Sequence, residues 1–526
     1  MRNALVNQPI SKEMKERIRI ILVYGVLFLL SAHLYRWNNS MFNHDSLLVF
    51  QGDTGWQISL GRILIPAYTW MRGRIAAPII IALFGSFFLL LSVLLCVQIL
   101  KIEKKSAVIL CIGIMTTFET LAFDNATFLQ WFDVQMLALL FASLSAYFLI
   151  SSAFQYRYPL GGICCILSMC LYQGYVEVLI VLILLALQRE VIEGSTKGTL
   201  LKGLSCVRVL LFSGVCYMIC VLLTWRITGI KPGNSYNSLT QMQNLQNISI
   251  MVHLWRTWCY PFHYLLHSEI AHRRISAAIY CLLGLFSLLK IISLGMIRKM
   301  RWGAWFCLGI ILLVFFPLGS NLVYFLNSGI KHGVMTFSFA YYTVWAIMVY
   351  DFKEERTGDT GFRNIKRYAV PLLCSVLILN HIIFSNQLYI KKDLETHAGI
   401  SFMTRMVDRI EQTDGYKIGE TRVAILGQIS DNPAAQERKG FSFVNDGWVG
   451  TYHYLGLSYY RSYSYYFEYI LGYPVHLAEL WELEDYINDP DLQDMPVFPS
   501  IGSTRMVGDT LVIRVSEDMR PQELRY

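Results

Sequence analysis

Charge is what this chain has least of. Only 16% of its 526 residues are Asp, Glu, Lys or Arg, while 55% are hydrophobic and the mean hydropathy is +0.43. Globular domains carry roughly 25% charged residues, so a soluble enzyme is excluded. Motifs of nucleotide and zinc chemistry are also missing: there is no Walker loop, no G-x-G-x-x-G and no H-E-x-x-H. A nucleotide donor therefore lacks a site, and so does a hydrolytic zinc. The twelve cysteines contain no C-x-x-C pair. Most fall inside apolar runs (Cys96, Cys111, Cys164, Cys165, Cys170, Cys216, Cys220) and read as small packing residues rather than a disulfide or metal framework. No internal repeat is visible, which weighs against a transporter built from inverted halves. The net charge of +8 is modest for the length; it reads as orientation charge, not as a footprint for nucleic acid.

What the chain does have is a series of apolar runs of about 20 residues, the length that spans a bilayer. Met1 to Arg19 is polar and basic, and Ile20 to Leu34 continues as a spanning helix rather than a cleaved leader. Lys12, Lys15, Arg17 and Arg19 place the N-terminus in the cytoplasm. One run decides the topology. Leu160 to Gln188 is apolar but interrupted at Tyr172-Gln173-Gly174. Read as one rod, it would put Arg189, Lys197, Lys202 and Arg208 outside; read as two short helices, it keeps them inside with Arg298, Lys299 and Arg301. The split reading obeys the positive-inside rule and is adopted.

The expected fold is mainly α: a polytopic protein of about eleven transmembrane helices, N-terminus in and C-terminus out. Residues 1–384 form the multi-pass membrane part. Residues 385–526 are polar enough to fold as a small extracytoplasmic α/β domain. Its helical pattern runs through Met403, Met406, Val407 and Ile410 and closes near Gly415. Strands follow at Thr421 to Gly427 and Thr510 to Val515, with a helix around LAELWELEDYI between them. In the loop from Thr228 to Ser276, HLWRTWCYPFHYLLH reads as an interfacial helix.

The polar residues gather on the outer side. Asn43 to Pro78 holds Asp45, Asp53, Arg62, Arg72 and Arg74, with Ile58, Leu60, Ile63, Leu64 and Ala67 at the spacing of a surface-lying helix. Asp124 and Asp133 flank the next outer turn, and Tyr172 and Gln173 cap the split pair. Acids followed by arginines at headgroup level suit a lipid phosphate meeting a hydroxyl. The plainer reading is a solvated loop whose arginines anchor to lipid. Gln173, in apolar surroundings, must find a partner, since an unsatisfied amide there costs several kcal/mol. Glu119 and Glu177 lie near the same end. Lys331 and His332 offer positive charge at the outer boundary, or merely anchor the chain. His33 and His381 have no metal-ligand spacing and read as packing residues. Nine tyrosines between Tyr452 and Tyr473 suit packing and an interfacial belt better than a sugar-stacking platform.

HDSLLVFQGDTGWQISLGR followed by RGRIAAP resembles the first-loop signature of the type II O-antigen glucosyltransferase (Gtr) family, bacterial multi-pass transferases of the GT-C class. The Asp133 segment and Leu171-Tyr172-Gln173 match further motifs in order. The resemblance implies a polyprenyl-phosphate sugar donor, often of glucose, and a cell-surface glycan or glycolipid acceptor at the outer leaflet. On the residue types, Asp53 is the first choice of base and Asp45 the second. Arg62, Arg72, Arg74 and Lys331 are candidates for the donor phosphate, and Asp133, Asp124, Tyr172 and Gln173 for sugar hydroxyls. Single displacement would invert the anomeric centre. No cofactor is expected and no metal ligand is named, although the clustered aspartates leave room for a divalent cation. The rivals are a transporter or flippase for a lipid-linked glycan, and a non-catalytic surface assembly protein.

Overall fold

A computed structural model describes residues 11–42, 46–47, 50, 54–233, 249–267, 272–327, 329, 331–353, 360–434 and 460–525. The first helix, Lys12–Asn38 (α1), is capped by Ser11, whose hydroxyl accepts from the Met14 amide at 3.2 Å. Its buried stripe (Ile21, Gly25, Leu29, Ala32, His33, Arg36) follows the helical period. The opposite face is equally apolar and exposed: Leu22, Val23, Val26, Leu27, Leu30 and Leu34. Apolar residues all round a helix mark one that faces lipid on one side and protein on the other.

Two short helices follow in the first loop, Gly55–Ser59 (α2) and Ile65–Arg72 (α3). Pro78–Ile99 (α4) starts with proline at its first position, where no amide is missed. The next apolar stretch, Lys105–Ile150, is broken twice. Lys105–Thr117 (α5) stops at Phe118, whose ψ of 141° is extended, and Glu119–Phe128 (α6) leads through one tight turn into Phe132–Ile150 (α7).

Arg157–Leu171 (α8) and Val176–Ile192 (α9) are separated by Tyr172, with extended φ and ψ of −159° and 112°. The chain reverses at that point. From the far end of α9, Arg189 Nη1 donates to the Leu100 carbonyl at 2.5 Å, and the Ile192 carbonyl accepts from Arg298 at 2.9 Å. The expected break at Tyr172-Gln173-Gly174 is therefore present, and it returns the chain to the end it came from. Thr196–Thr228 (α10), Ile250–Leu266 (α11), Arg273–Ile297 (α12), Trp302–Gly319 (α13), Ala340–Asp351 (α14) and Thr360–Glu411 (α15) complete the helices used below. Trp255 on α11 is exposed, as an interfacial helix requires.

Among the described residues seven helical stretches are long and apolar enough to cross a membrane. That is a multi-pass protein, with fewer qualifying helices than the crossings expected. Helices α8, α9 and α14 are short, at 15, 17 and 12 residues, and α9 and α14 bury nearly all of their length against their neighbours.

A small sheet follows, of order β2-β1-β4-β3, with β1 Arg422–Leu426, β2 His476–Leu477, β3 Thr504–Val507 and β4 Thr510–Arg514. β1 is parallel to β2 and β4, pairing Arg422 with Thr510 and Leu426 with Arg514; β3 is antiparallel to β4. The sheet has its own buried core, which includes Tyr460, Tyr463 and Tyr466 of the tyrosine-rich stretch. Helix α15 belongs to both cores: Leu388 and Tyr389 pack in the bundle, and Phe402, Met403, Met406 and Ile410 against the sheet. The boundary expected between residues 384 and 385 thus falls inside one uninterrupted helix.

Gly85 on α4 lies against Phe132: a Cβ there would sit 2.4 Å from that ring, which is fully buried. Gly85→Leu is expected to cost about 1–3 kcal/mol through overpacking, read as a lowered melting temperature in detergent. Gly284→Leu, where a Cβ meets nothing within 4 Å, should leave it unchanged.

Candidate functional site

The first loop doubles back into the bundle, and its backbone is answered there group by group. Gly61, at φ +82°, makes a turn that a side chain would strain. The Gln173 amide donates to the Leu60 carbonyl at 2.8 Å and to the Tyr217 hydroxyl at 2.7 Å. Tyr217 in turn donates to the Gly61 carbonyl at 3.2 Å. Trp225 donates to Ile58 at 2.8 Å, and the Leu64 amide to Cys170 at 3.1 Å. Gln173 has found the partner its surroundings demand, and both of its N–H groups are spent on holding the loop. Asp45 and Asp53 lie outside the described residues. Their described neighbours reach the other core: Leu47 is buried beneath the sheet, and Phe50 stacks on Tyr469 at 4.7 Å.

Two of the candidate charges answer each other. Arg72 Nη1 contacts both carboxylate oxygens of Asp133, at 2.9 and 3.0 Å, with side chains 3% and 0% exposed. The Tyr68 hydroxyl donates to Asp133 Oδ2 at 3.0 Å. Burial, then the Asp133 charge, pushes the Tyr68 phenol above its ordinary range. Lys331 is equally occupied. Its ammonium donates to Glu177 at 2.7 Å, Asn321 Oδ1 at 3.1 Å and the Ser320 carbonyl at 3.2 Å, over the Phe339 ring. All three protons serve the fold, and none is left for a phosphate. Glu177 is filled out by the Val323 amide and Ser338. Arg74 is exposed.

A different set of groups is open. Asp124 is fully buried; its carboxylate oxygens meet no partner at full hydrogen-bond geometry, with Gln135 as a weaker hydrogen-bonding neighbour. Arg62, Gln135, Tyr172 and Tyr175 are its electrostatic neighbours. The Arg62 guanidinium lies over the Tyr172 ring at 4.6 Å and reaches Gln57 at 3.1 Å, leaving its Nε buried and unbonded. Gln135 Oε1 and the Tyr175 hydroxyl are likewise buried without partners. Native interiors satisfy the large majority of such atoms, so this cation, carboxylate, amide and phenol, electrostatic neighbours of one another, make up a candidate chamber for a polar ligand. Gln135 and Tyr175 escaped the sequence reading, although each stands two residues from a residue it named. Among the described residues no three His, Cys, Asp or Glu side chains are grouped as metal ligands.

Residues 34–350 match the family described as Glucosyl transferase GtrII. The chain belongs to the GtrII family. Neither a curated protein nor a solved structure is a significant match. The GtrII match takes in Arg62, Arg72, Asp124, Asp133, Tyr172, Gln173 and Lys331 and stops before the sheet. Together with seven helices fit to cross a membrane, it makes this GtrII protein a membrane glycosyltransferase.

Removing one side of the Arg72–Asp133 pair isolates a buried charge. Arg72→Met is expected to lower unfolding stability by about 3–5 kcal/mol. Arg72→Met combined with Asp133→Leu should recover most of it, as thermal melts of the purified protein would show.

Proposed function

We propose that this protein transfers a sugar, glucose by family, from a polyprenyl-phosphate donor to a cell-surface glycan or glycolipid at the outer face of the membrane. The observation that carries the reading is the open chamber of Asp124, Arg62, Gln135 and Tyr175 beside the first loop. Its several unanswered donors and acceptors suit the hydroxyls of a sugar ring, with Asp124 and Tyr172 among the groups that hold it. Arg62 takes the phosphate. Arg72 and Asp133 act at one remove, fixing the loop between α3 and α7.

The orientation follows from charge. Lys101, Arg189, Lys202 and Arg298 meet at the end of the bundle away from the chamber, through contacts to Glu193, Leu100, Ile150 and Ile192. By the positive-inside rule that end is cytoplasmic and the chamber faces out. Counting α8, α9 and α14 as crossings, and α5 with α6 as one, gives eleven traverses in a GT-C-like arrangement, with the sheet on the outer side.

In the step itself the acceptor hydroxyl oxygen attacks the anomeric carbon as the bond to the phosphate oxygen breaks. The hydroxyl proton passes to a carboxylate base, Asp53 before Asp45, and polyprenyl phosphate leaves with the bonding pair. Displacement from the opposite face inverts the centre. As proposed, the reaction needs no cofactor, and a divalent ion at the first-loop acids remains compatible with it.

The test uses the full chain in nanodiscs with labelled polyprenyl-phosphate glucose and a surface-glycan acceptor. Asp53→Asn is expected to lower transfer about 10²- to 10⁴-fold with an unchanged melt. Asp124→Asn should weaken use of the donor sugar while leaving polyprenyl phosphate binding intact. Full transfer by Asp53→Asn would reject that base. A wild type that moves labelled lipid between leaflets without forming product would favour the flippase.

A further inference from the structure

Arg36 closes the apolar run of α1, and its side chain is 3% exposed. Its Nε donates to the Asn125 carbonyl at 2.8 Å, its Nη1 to Asn39 at 2.7 Å and its Nη2 to Met41 at 3.3 Å. These three acceptors are neutral. They orient the guanidinium without cancelling its charge, and among the described residues two of its five N–H donors are left over. Asp393, an electrostatic neighbour, is not in ion-pair contact with it, and its Oδ2 accepts from Tyr35 at 2.8 Å. Among the described residues Arg36 has no carboxylate in ion-pair contact, and a buried cation left so at a bilayer boundary points to function.

Its position ties it to the chamber. Asn125, which receives the Nε bond, directly follows Asp124, and its side chain is held by Trp37 at 2.8 Å. On the other side stands Tyr389 of α15, bonded to His33 at 2.7 Å. Lys391 and Lys392 come next on that helix, buried and leaning on Glu395 at 3.9 and 3.1 Å. These lysines have partners of their own and add positive potential rather than open donors.

We infer that Arg36 binds the phosphate of the lipid-borne donor, and the phosphate monoester it leaves behind. Two of the other cations near the first loop are already paired, Arg72 with Asp133 and Lys331 with Glu177, so Arg36 shares the phosphate with Arg62, whose Nε is open. A sugar cannot supply the missing negative charge, whereas a phosphate can, and a planar guanidinium with two spare N–H groups matches its oxygens. Cleavage of the glycosyl bond turns a phosphodiester into a monoester, so the charge facing Arg36 grows as the reaction proceeds. An uncancelled cation held in place beforehand stabilises that growth. The inference rests on the reaction proposed above for its ligand.

The full chain in phosphatidylcholine nanodiscs tests it, with polyprenyl phosphate as the probe. Arg36→Gln is expected to weaken polyprenyl phosphate binding about tenfold or more and to raise the donor KM, with the acceptor KM held within about twofold. Arg36→Lys should restore part of the affinity. Unchanged binding by Arg36→Gln would overturn the assignment, as would equal loss toward donor and acceptor. Binding that follows added phosphatidylglycerol rather than polyprenyl phosphate would give the site to bulk headgroups and overturn it too. Should glutamine prevent folding, the wild type carries the test: polyprenyl phosphate should protect Arg36 from phenylglyoxal, and absence of protection counts against it. A wild type that binds polyprenyl phosphate yet transfers no sugar fails the proposed reaction and leaves Arg36 standing.

Discussion

Backbone buried among apolar helices has no water to turn to, so each of its amides and carbonyls must be met by protein. The turn between α2 and α3 meets this demand through Gln173 and Tyr217, which between them take the carbonyls of Leu60 and Gly61. Much else depends on that lacing. The α8–α9 run breaks at Tyr172, and the turn so formed carries the Gln173 amide. The same break places the Tyr172 ring under Arg62 and brings Tyr175 within the electrostatic reach of Asp124. A continuous helix through these residues would leave the first loop unanchored and the chamber without a wall.

Charges in the bundle fall into two kinds. Arg72 with Asp133, and Lys331 with Glu177, are closed: each ion has its counter-ion and further hydrogen bonds. Pairs of this sort hold elements in register because separating them strands a charge. Asp124 and the Arg62 Nε are open, and so, in charge, is Arg36. That division separates residues that shape the chamber from those that face its occupant.

The break at Tyr172-Gln173 was legible because an apolar run longer than one crossing had a polar tip. The strands at Arg422–Leu426 and Thr510–Arg514 were legible from short apolar runs bounded by turn residues. Pairing was not. Arg72 and Asp133 stand 61 positions apart, and Lys331 and Glu177 stand 154 apart, so neither contact has a local signal. Asp124 is a candidate for sugar hydroxyls in the sequence, but its full burial had no signal there. It is buried because α5 breaks at Phe118 and α6 turns inward instead of running on to the surface. Arg36 drew no attention in the sequence, and only the three carbonyls around it single it out. The border at 384 marked where composition turns polar, which is no reason for a helix to stop.

Helix α15 has a mechanical consequence. At 52 residues it is about 78 Å long, more than twice the thickness of a bilayer's hydrocarbon core. Its last twenty residues, about 30 Å, project into the sheet's core as a lever. Packing against neighbouring helices sets the tilt of a spanning rod, and a change of about 10° at the bundle swings the far end by about 5 Å. Leu47 and Phe50 are seated in the core at that far end, so the first loop is borne by an arm whose angle the helices packed around its root hold.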